Sequence, residues 1–333
     1  MAIRVMHMGL GPIGAAIVRQ VATRRGFKIV AAVDIDENLV GKDLGEVAGV
    51  DRKLRIKVAN DVGRTIKATK PDIVVLCTSS SLEIVADQLE AIFKRRVPVV
   101  STTEELAYPY CSHRKLAKRI DAMAKKAKVA VLGTGVNPGF TMDALPIALT
   151  AVCERVDAIH VDRVQDAARR RLPFQQKIGA GLTLAEFQER VEAGTVRHVG
   201  LTESIAMIAD AMGWRLDRIT DEILPKMADT TVSSEFLTVP AGRVRGIIQD
   251  GVGFVNGEAA ITLPMEASLG APASYDAVRV TGSPAISSRI EGGVHGDVAT
   301  ASITVNSIPA VLAAKPGLQT MRSLRLPSYF GGD

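Results

Sequence analysis

Two adjacent carboxylates, Glu104 and Glu105, stand just past a short apolar run, Val97-Pro-Val-Val100, within Ser101-Thr-Thr-Glu-Glu-Leu106. A carboxylate placed where a strand gives way to a helical turn can take up and return a proton. It can equally serve as a first-turn partner of the helix dipole, and residue types alone leave both roles open. A different chemistry lies near the N-terminus, where Gly9-Leu-Gly11-Pro12-Ile13-Gly14 follows the six-residue apolar run Ile3–Met8 and opens a helical pattern. In that context the glycines serve a tight turn, close backbone approach to a pyrophosphate, and helix–strand contact. The start of the helix then offers unpaired N–H groups to phosphate.

Asp34 stands 20 residues past Gly14, at the end of the next apolar run, where a carboxylate can accept from a ribose 2′-hydroxyl. Asp36 and Glu37 follow, and no Lys or Arg appears before Lys42. A 2′-phosphate would meet acidic charge there, so the pattern favours NAD, with NADP the alternative. Thr78, Ser79 and Ser80 follow Asp72-Ile-Val-Val-Leu-Cys77 and would stand beside the cofactor or cap the next helix. Two more segments end strand-like runs: Gly133-Thr-Gly-Val-Asn-Pro-Gly-Phe140, and Arg163 to Lys177 with its Arg169–Arg171 cluster. The first turns the chain sharply at Asn137-Pro138; the second could bind a substrate carboxylate or form a solvated face. A nicotinamide enzyme that removes an amine needs a carboxylate near the reacting carbon, first for the ammonium proton and then for the water that attacks the imine. Glu104 or Glu105 could serve.

These residues are positioned by an alternation of short β-branched runs and longer helical patterns over the first 135 residues or so. Strands are predicted at Ile3–Met8, Lys28–Val33, Leu54–Val58, Asp72–Cys77, Val97–Val100 and Val129–Leu132. Helices fall at 12–25, 82–94 and 113–127. That alternation predicts an α/β fold with a Rossmann-type, doubly wound parallel sheet. Beyond Met142 the pattern changes to a second α+β domain. It has a strand at Val156–Val164, helices near 183–193 and 202–212, and a mostly antiparallel sheet over 243–291. Asn256-Gly257 marks a hairpin in that sheet. Residues 297–314 form an Ala-rich helix interrupted by Pro309. The reading is a dinucleotide-binding domain over 1–140, a substrate and oligomerisation domain over 141–296, and a helix and tail over 297–333 returning to the first domain.

Composition sets outer bounds. Apolar residues make up 47% and charged residues 23%, enough for a substantial core. The excess of 41 Lys and Arg over 36 Asp and Glu is modest and not interleaved with aromatics, which argues against a nucleic-acid partner. Cys77, Cys111 and Cys153 lie far apart, and the histidines show no ligand spacing, so no metal site is predicted; His7 reads as structural. No leader pattern and no membrane-length apolar stretch is visible, which predicts a cytoplasmic protein with no membrane partner.

Several segments together resemble the 2,4-diaminopentanoate dehydrogenase group and its amine dehydrogenase relatives, which share the dihydrodipicolinate reductase fold. They are Gly9–Gly14, Ser101-Thr-Thr-Glu-Glu-Leu-Ala-Tyr-Pro109, Gly133–Phe140, Arg163-Val-Gln-Asp166 with Arg170 to Gly181, and Asn306-Ser-Ile-Pro309 with Pro316-Gly-Leu318. The resemblance spans nearly the whole chain. It implies NAD(P)-dependent oxidative deamination of an amine or diamino acid, reversible as reductive amination. It makes Glu104 the acid/base residue, with Glu105 the fallback. Gly9, Gly11, Pro12, Ile13, Gly14, Asp34, Thr78, Ser79, Ser80 and Thr102 would face the cofactor. Asn137, Pro138 and Phe140 would line the nicotinamide pocket, with Phe140, Arg163, Arg170 and Gln175 toward the substrate. The resemblance further implies substrate bound between the domains and a homodimer or larger assembly. The His-His pair and the Lys-led Asp-Ala-Pro-Ser-Gly-Thr segment of dihydrodipicolinate reductase are missing from the sequence. A cyclic-imine or carbonyl reductase is the enzymatic rival, and a dinucleotide sensor without turnover is the rival of another class.

Overall fold

The computed structural model describes residues 2–331, so the first residue and the last two of the predicted domain spans lie outside the described part. The chain divides into two compact units, Met1–Phe140 with His295–Asp333, and Thr141–Val294.

In the first unit, apolar runs become strands and amphipathic runs become the helices that cover them. In chain order these are β1 (Ile3–Met8), α1 (Pro12–Thr23), β2 (Phe27–Val33), α2 (Leu44–Ala48), α3 (Val62–Thr69), β3 (Ile73–Leu76), α4 (Leu82–Phe93), β4 (Val99–Ser101), α5 (Arg114–Ala127) and β5 (Ala130–Gly133). Among the described residues the sheet runs in the order Gly317–Gln319, β5, β4, β3, β1, β2, with every pairing parallel. Strands β3, β4 and β5 are buried along their whole length, the burial expected of a parallel sheet covered on both faces. Met6, Met8, Val74, Leu76, Val99 and Val131 pack with Leu89, Ile92 and Ile120 into one core layer. The C-terminal helix Gly296–Ala313 lies along α1, tied by Gln20 Nε2 to Ser302 Oγ at 3.0 Å.

After β1 the chain turns to β2 on one side of the sheet and later crosses to β3 on the other. The reversal between β1 and β3 opens a crevice at the carboxyl ends of the strands, where such sheets bind ligands. The predicted strand over Leu54–Val58 does not form. This segment makes one isolated bridge, Lys57 with Asp43, and Ala59 just past it bridges Val33. The Asp43 carboxylate draws in the amides of Leu54 and Arg55 at 2.9 and 2.7 Å, and Arg55 adopts φ +58°, so the backbone cannot run extended.

The second unit contains α6 (Ala144–Leu149), β6 (Arg155–Asp166), α7 (Leu172–Lys177), α8 (Leu184–Glu192), α9 (Leu201–Met212) and β7 (Arg218–Met227). A two-residue pair, β8 (Val232–Ser233) and β9 (Thr238–Val239), follows. Then come β10 (Val244–Val255), β11 (Glu258–Ser268), β12 (Tyr275–Ser283) and β13 (Ile286–Glu291). The main sheet runs β13-β12-β6-β11-β10-β7 and is antiparallel except for β6 against β11. Asn256 and Gly257 take φ +53° and +83° in the hairpin between β10 and β11, the signs a type I′ turn requires. Ile159, Val161, Ile247, Ile261 and Leu263 pack from one sheet face against Phe187, Leu201, Ile205 and Ile208. Strand β7 escapes sequence pattern because charged residues alternate along it and Pro225 lies within; as the edge strand it tolerates both.

Candidate dinucleotide and proton-transfer site

The glycine turn sits at the switch point, directly after β1. Gly9 adopts φ +89°, and a Cβ there would come within 2.5 Å of the Cys77 carbonyl oxygen. A Cβ on Gly14 would collide with the Gly9 carbonyl, so these two glycines let the turn, β3 and α1 come together. Around Gly11 a Cβ would meet nothing within 4 Å. Its missing side chain serves no internal contact and leaves open space in front of the backbone. Pro12 stands in the first turn of α1; no side chain caps that terminus and no acidic residue lies in its first turn. The fixed φ of proline suits a helix start, and the remaining N–H groups face outward with the positive end of the dipole. Ile13 lies half-buried one step on. These are the properties a pyrophosphate needs, and the residues present fit a dinucleotide.

Asp34 follows the end of β2. Its Oδ2 accepts the Leu10 amide at 2.6 Å and its Oδ1 accepts the Asp36 amide at 3.0 Å. The carboxylate thus braces the glycine turn. Across the reversal, Thr78 Oγ1 donates to Gln88 Oε1 at 2.6 Å, and Ser79 Oγ accepts the Ser81 amide at 3.1 Å. The Ser80 carbonyl accepts the Glu105 amide at 3.3 Å. Thr102 donates its amide to the Leu76 carbonyl at 3.1 Å, bonding the end of β4 to β3. Beneath this loop, burial pushes the Cys77 thiol up to about 12, partly offset by hydrogen bonding with Thr102, so the sulfur stays protonated at neutral pH.

Glu104 and Glu105 lie on a 3₁₀ turn, Glu104–Leu106, at the carboxyl end of β4. Gly133 makes room for it: a Cβ there would fall 2.5 Å from the Leu106 carbonyl carbon and 2.7 Å from the Ala107 nitrogen. The two carboxylates differ. Glu105 Oε2 accepts the Leu82 amide at 2.7 Å and stands 3.3 Å from His113 Nε2. Glu104 is half-buried, and among the described residues no hydrogen bond or ion pair takes up its carboxylate. Sequence reasoning overlooked the hydroxyls below the turn. Ser101 Oγ donates to the Leu76 carbonyl at 2.9 Å and pairs with Thr103 Oγ1 at 2.9 Å, and Thr103 Oγ1 donates to the Ser79 carbonyl at 2.8 Å. A run of three hydroxyl residues after a strand was the available signal.

The loop after β5 adds Asn137, buried, in a cis peptide with Pro138, and half-buried Phe140. The loop is anchored to the C-terminal helix by the Val136 amide on Thr300 Oγ1 at 3.2 Å. Thus Gly9–Gly14, Asp34, Thr78–Ser80, Thr102–Glu105 and Asn137–Phe140 all belong to the first unit and all follow carboxyl ends of its strands.

Arg163, Arg170 and Gln175 belong to the second unit. Arg163 is buried and ion-paired with Asp276, and its terminal nitrogens also reach Thr141 Oγ1 at 3.3 Å and the Val294 carbonyl at 3.0 Å. Gln175 Nε2 donates to the carbonyls of Ala167 and Arg170 at 3.0 and 2.8 Å, and Oε1 accepts from Ser234 Oγ at 2.8 Å. Both were expected to face the substrate; their polar atoms are taken up within the unit because burial demands partners for them. Arg170 donates to Gln165 Oε1 at 3.0 Å and lies over the Phe174 ring, 4.1 Å from its centroid.

A parallel sheet with a phosphate-ready glycine turn at its switch point, a braced Asp34 and an open carboxylate across the crevice defines a nicotinamide-dependent oxidoreductase. Residues 3–133 match the dihydrodipicolinate reductase N-terminus, and residues 140–333 match the 2,4-diaminopentanoate dehydrogenase C-terminal domain. The chain belongs to the 2,4-diaminopentanoate dehydrogenase family and is an NAD(P)-dependent amine dehydrogenase. It is 35% identical to 2,4-diaminopentanoate dehydrogenase of Acetoanaerobium sticklandii, over 99% of this chain and 96% of that protein. An amine dehydrogenase of Streptomyces virginiae is 26% identical over 77% of this chain and 72% of that protein. Among solved structures, an amine dehydrogenase from Mycobacterium smegmatis shares the fold at a TM-score of 0.88 and 24% identity, covering 100% of this chain and 99% of that one. A dihydrodipicolinate reductase from Paenisporosarcina sp. TG-14 aligns at a TM-score of 0.53 and 15% identity, over 97% and 99% of the two chains. Among the described residues, no helix is long and apolar enough to cross a membrane.

Proposed function

We propose that the chain deaminates a small amine or diamino acid of the 2,4-diaminopentanoate kind, with NAD preferred over NADP and Glu104 as the acid/base residue. The observation that carries this reading is the unequal state of the two carboxylates: Glu105 is held by Leu82 and His113, whereas Glu104 is left open.

Gly9, Gly11 and Gly14 with the start of α1 would seat the pyrophosphate, and Asp34 would meet the ribose that carries the adenine. Acidic Asp36 and Glu37 close to Asp34 disfavour a 2′-phosphate. The nicotinamide, when bound, supplies the acceptor for the hydride that leaves the amine carbon. Glu104 takes a proton from the substrate ammonium, so that the nitrogen lone pair can form the imine as hydride departs. After passing that proton to solvent, the Glu104 carboxylate takes a proton from the water that adds to the imine carbon and returns it to the leaving ammonia. The balance is substrate ammonium plus NAD⁺ plus water giving ketone, ammonium, NADH and one proton, and the same steps in reverse aminate a ketone. Asn137, Pro138 and Phe140 would wall the nicotinamide pocket. The active form in this reading is a homodimer or larger assembly.

The test is NADH formation by the purified protein on 2,4-diaminopentanoate, ornithine, lysine and simple alkylamines, with NADP in parallel. Turnover lost by about 10²–10⁴-fold in Glu104→Gln supports the reading, that being the usual contribution of general acid–base catalysis. Silence across the panel, with reduction of a cyclic imine in the absence of ammonia, would overturn it.

A further inference from the structure

We infer that Glu105 is a positioning residue for the proton-transfer turn, acting through α4. Helix α4 begins after Ser81, and Ser81 makes no side-chain cap, although serine is among the residues best suited to do so. The orphan amide of Leu82 is instead taken by Glu105 Oε2 at 2.7 Å, from 23 residues further along the chain. The bond is reciprocated, because the Glu105 amide donates to the Ser80 carbonyl at 3.3 Å. The 3₁₀ turn and the start of α4 are therefore clasped by two hydrogen bonds of opposite direction, like a capping box formed between distant segments.

Two further ties make the clasp rigid. The Glu105 carboxylate also stands 3.3 Å from His113 Nε2, the residue preceding α5, so one side chain spans the starts of both helices flanking β4. On the underside, the buried Ser101 and Thr103 hydroxyls hold the same turn to the Leu76 and Ser79 carbonyls. Glu104 is the one carboxylate on the turn outside this network, and its backbone is fixed by neighbours on both sides. A clasp of this kind places the Glu104 carboxylate without touching the reactants, and a small misplacement of a proton-transfer group costs rate rather than binding.

The inference rests on Glu104 being the acid/base residue, and separate variants report the failure of each. Glu105→Gln keeps an oxygen that accepts the Leu82 amide. Glu105→Met has nearly the same shape and no such acceptor. Both are compared with wild type by kcat and KM for the amine and by NADH affinity from fluorescence. The expected result is a drop in kcat of tenfold or more in Glu105→Met, with KM and NADH affinity within about twofold, and recovery of most of kcat in Glu105→Gln. Equal, wild-type kcat in both variants overturns the inference. Equal loss in both also overturns it, since the carboxylate itself would then be needed, and so does loss of NADH binding in Glu105→Met, which would assign Glu105 to the cofactor fold. Retained turnover in Glu104→Gln defeats the underlying reading instead, whatever the Glu105 pair shows.

Discussion

The amide of Leu10 donates to Asp34 Oδ2 at 2.6 Å, so the carboxylate at the end of β2 holds the turn that follows β1. Asp34 therefore braces the glycine turn, and in the proposed reading it also meets the ribose. A hydrogen bond to a charged group contributes about 1.5–3 kcal/mol. Asp34→Ala is expected to weaken NAD binding by about tenfold or more in a calorimetric titration. Unchanged affinity would remove Asp34 from the cofactor site.

Gly14 and Gly11 of the turn should behave differently. Gly14→Ala forces a methyl into the Gly9 carbonyl and should lower the melting temperature as well as abolish NAD binding. Gly11→Ala finds open space, so its melting temperature should stay within a few degrees while NAD affinity falls. Equal destabilisation by both substitutions would contradict this division of roles.

His7 is buried in β1, with both ring nitrogens lacking a partner among the described residues, and desolvation lowers its pKa from 6.5 to about 3. The fold accepts only the neutral ring. Its contribution to stability is complete above about pH 6.5 and lost as pH falls toward 3, by up to about 1.4 kcal/mol per pH unit. His7→Leu should flatten that acid limb in urea titrations between pH 7 and 4, with little effect at pH 8. An unaltered limb would place the acid sensitivity elsewhere.

Arg163 and Asp276 form a buried ion pair in the second unit; desolvation pushes the Arg163 pKa down and Asp276 pulls it back up. Asp276 Oδ2 also accepts the Val294 amide at 2.7 Å. Removing one partner strands a buried charge, which costs about 3–5 kcal/mol. Asp276→Ala should therefore unfold at markedly lower denaturant, and the double variant Arg163→Met with Asp276→Leu should recover much of the loss. A mild effect of Asp276→Ala alone would show that water reaches the pair.

Much of the first unit was legible because its signals are local. Ile3–Met8, the glycine turn and Asp72–Cys77 are short continuous patterns, and the strands form within a residue or two of the expected bounds. Asn256-Gly257 is equally local and forms its hairpin. Leu54–Val58 misled because its apolar alternation is real but the Asp43 carboxylate competes for its amides. Strand β7 was invisible because an edge position excuses Pro225 and the charges around it.

The sequence by itself determined the parallel sheet, the glycine turn and a pair of carboxylates after β4, since each follows from residue types at short spacing. Only the tertiary structure decided which carboxylate is open. Glu105 is occupied by Leu82, 23 residues back, and by His113, eight residues on. It likewise decided that Arg163 and Gln175 turn their polar atoms inward, toward Asp276 and Ser234. The reason is common to both cases. A buried polar group takes whichever partner folding brings within about 3 Å, and that partner's place in the chain carries no local signal.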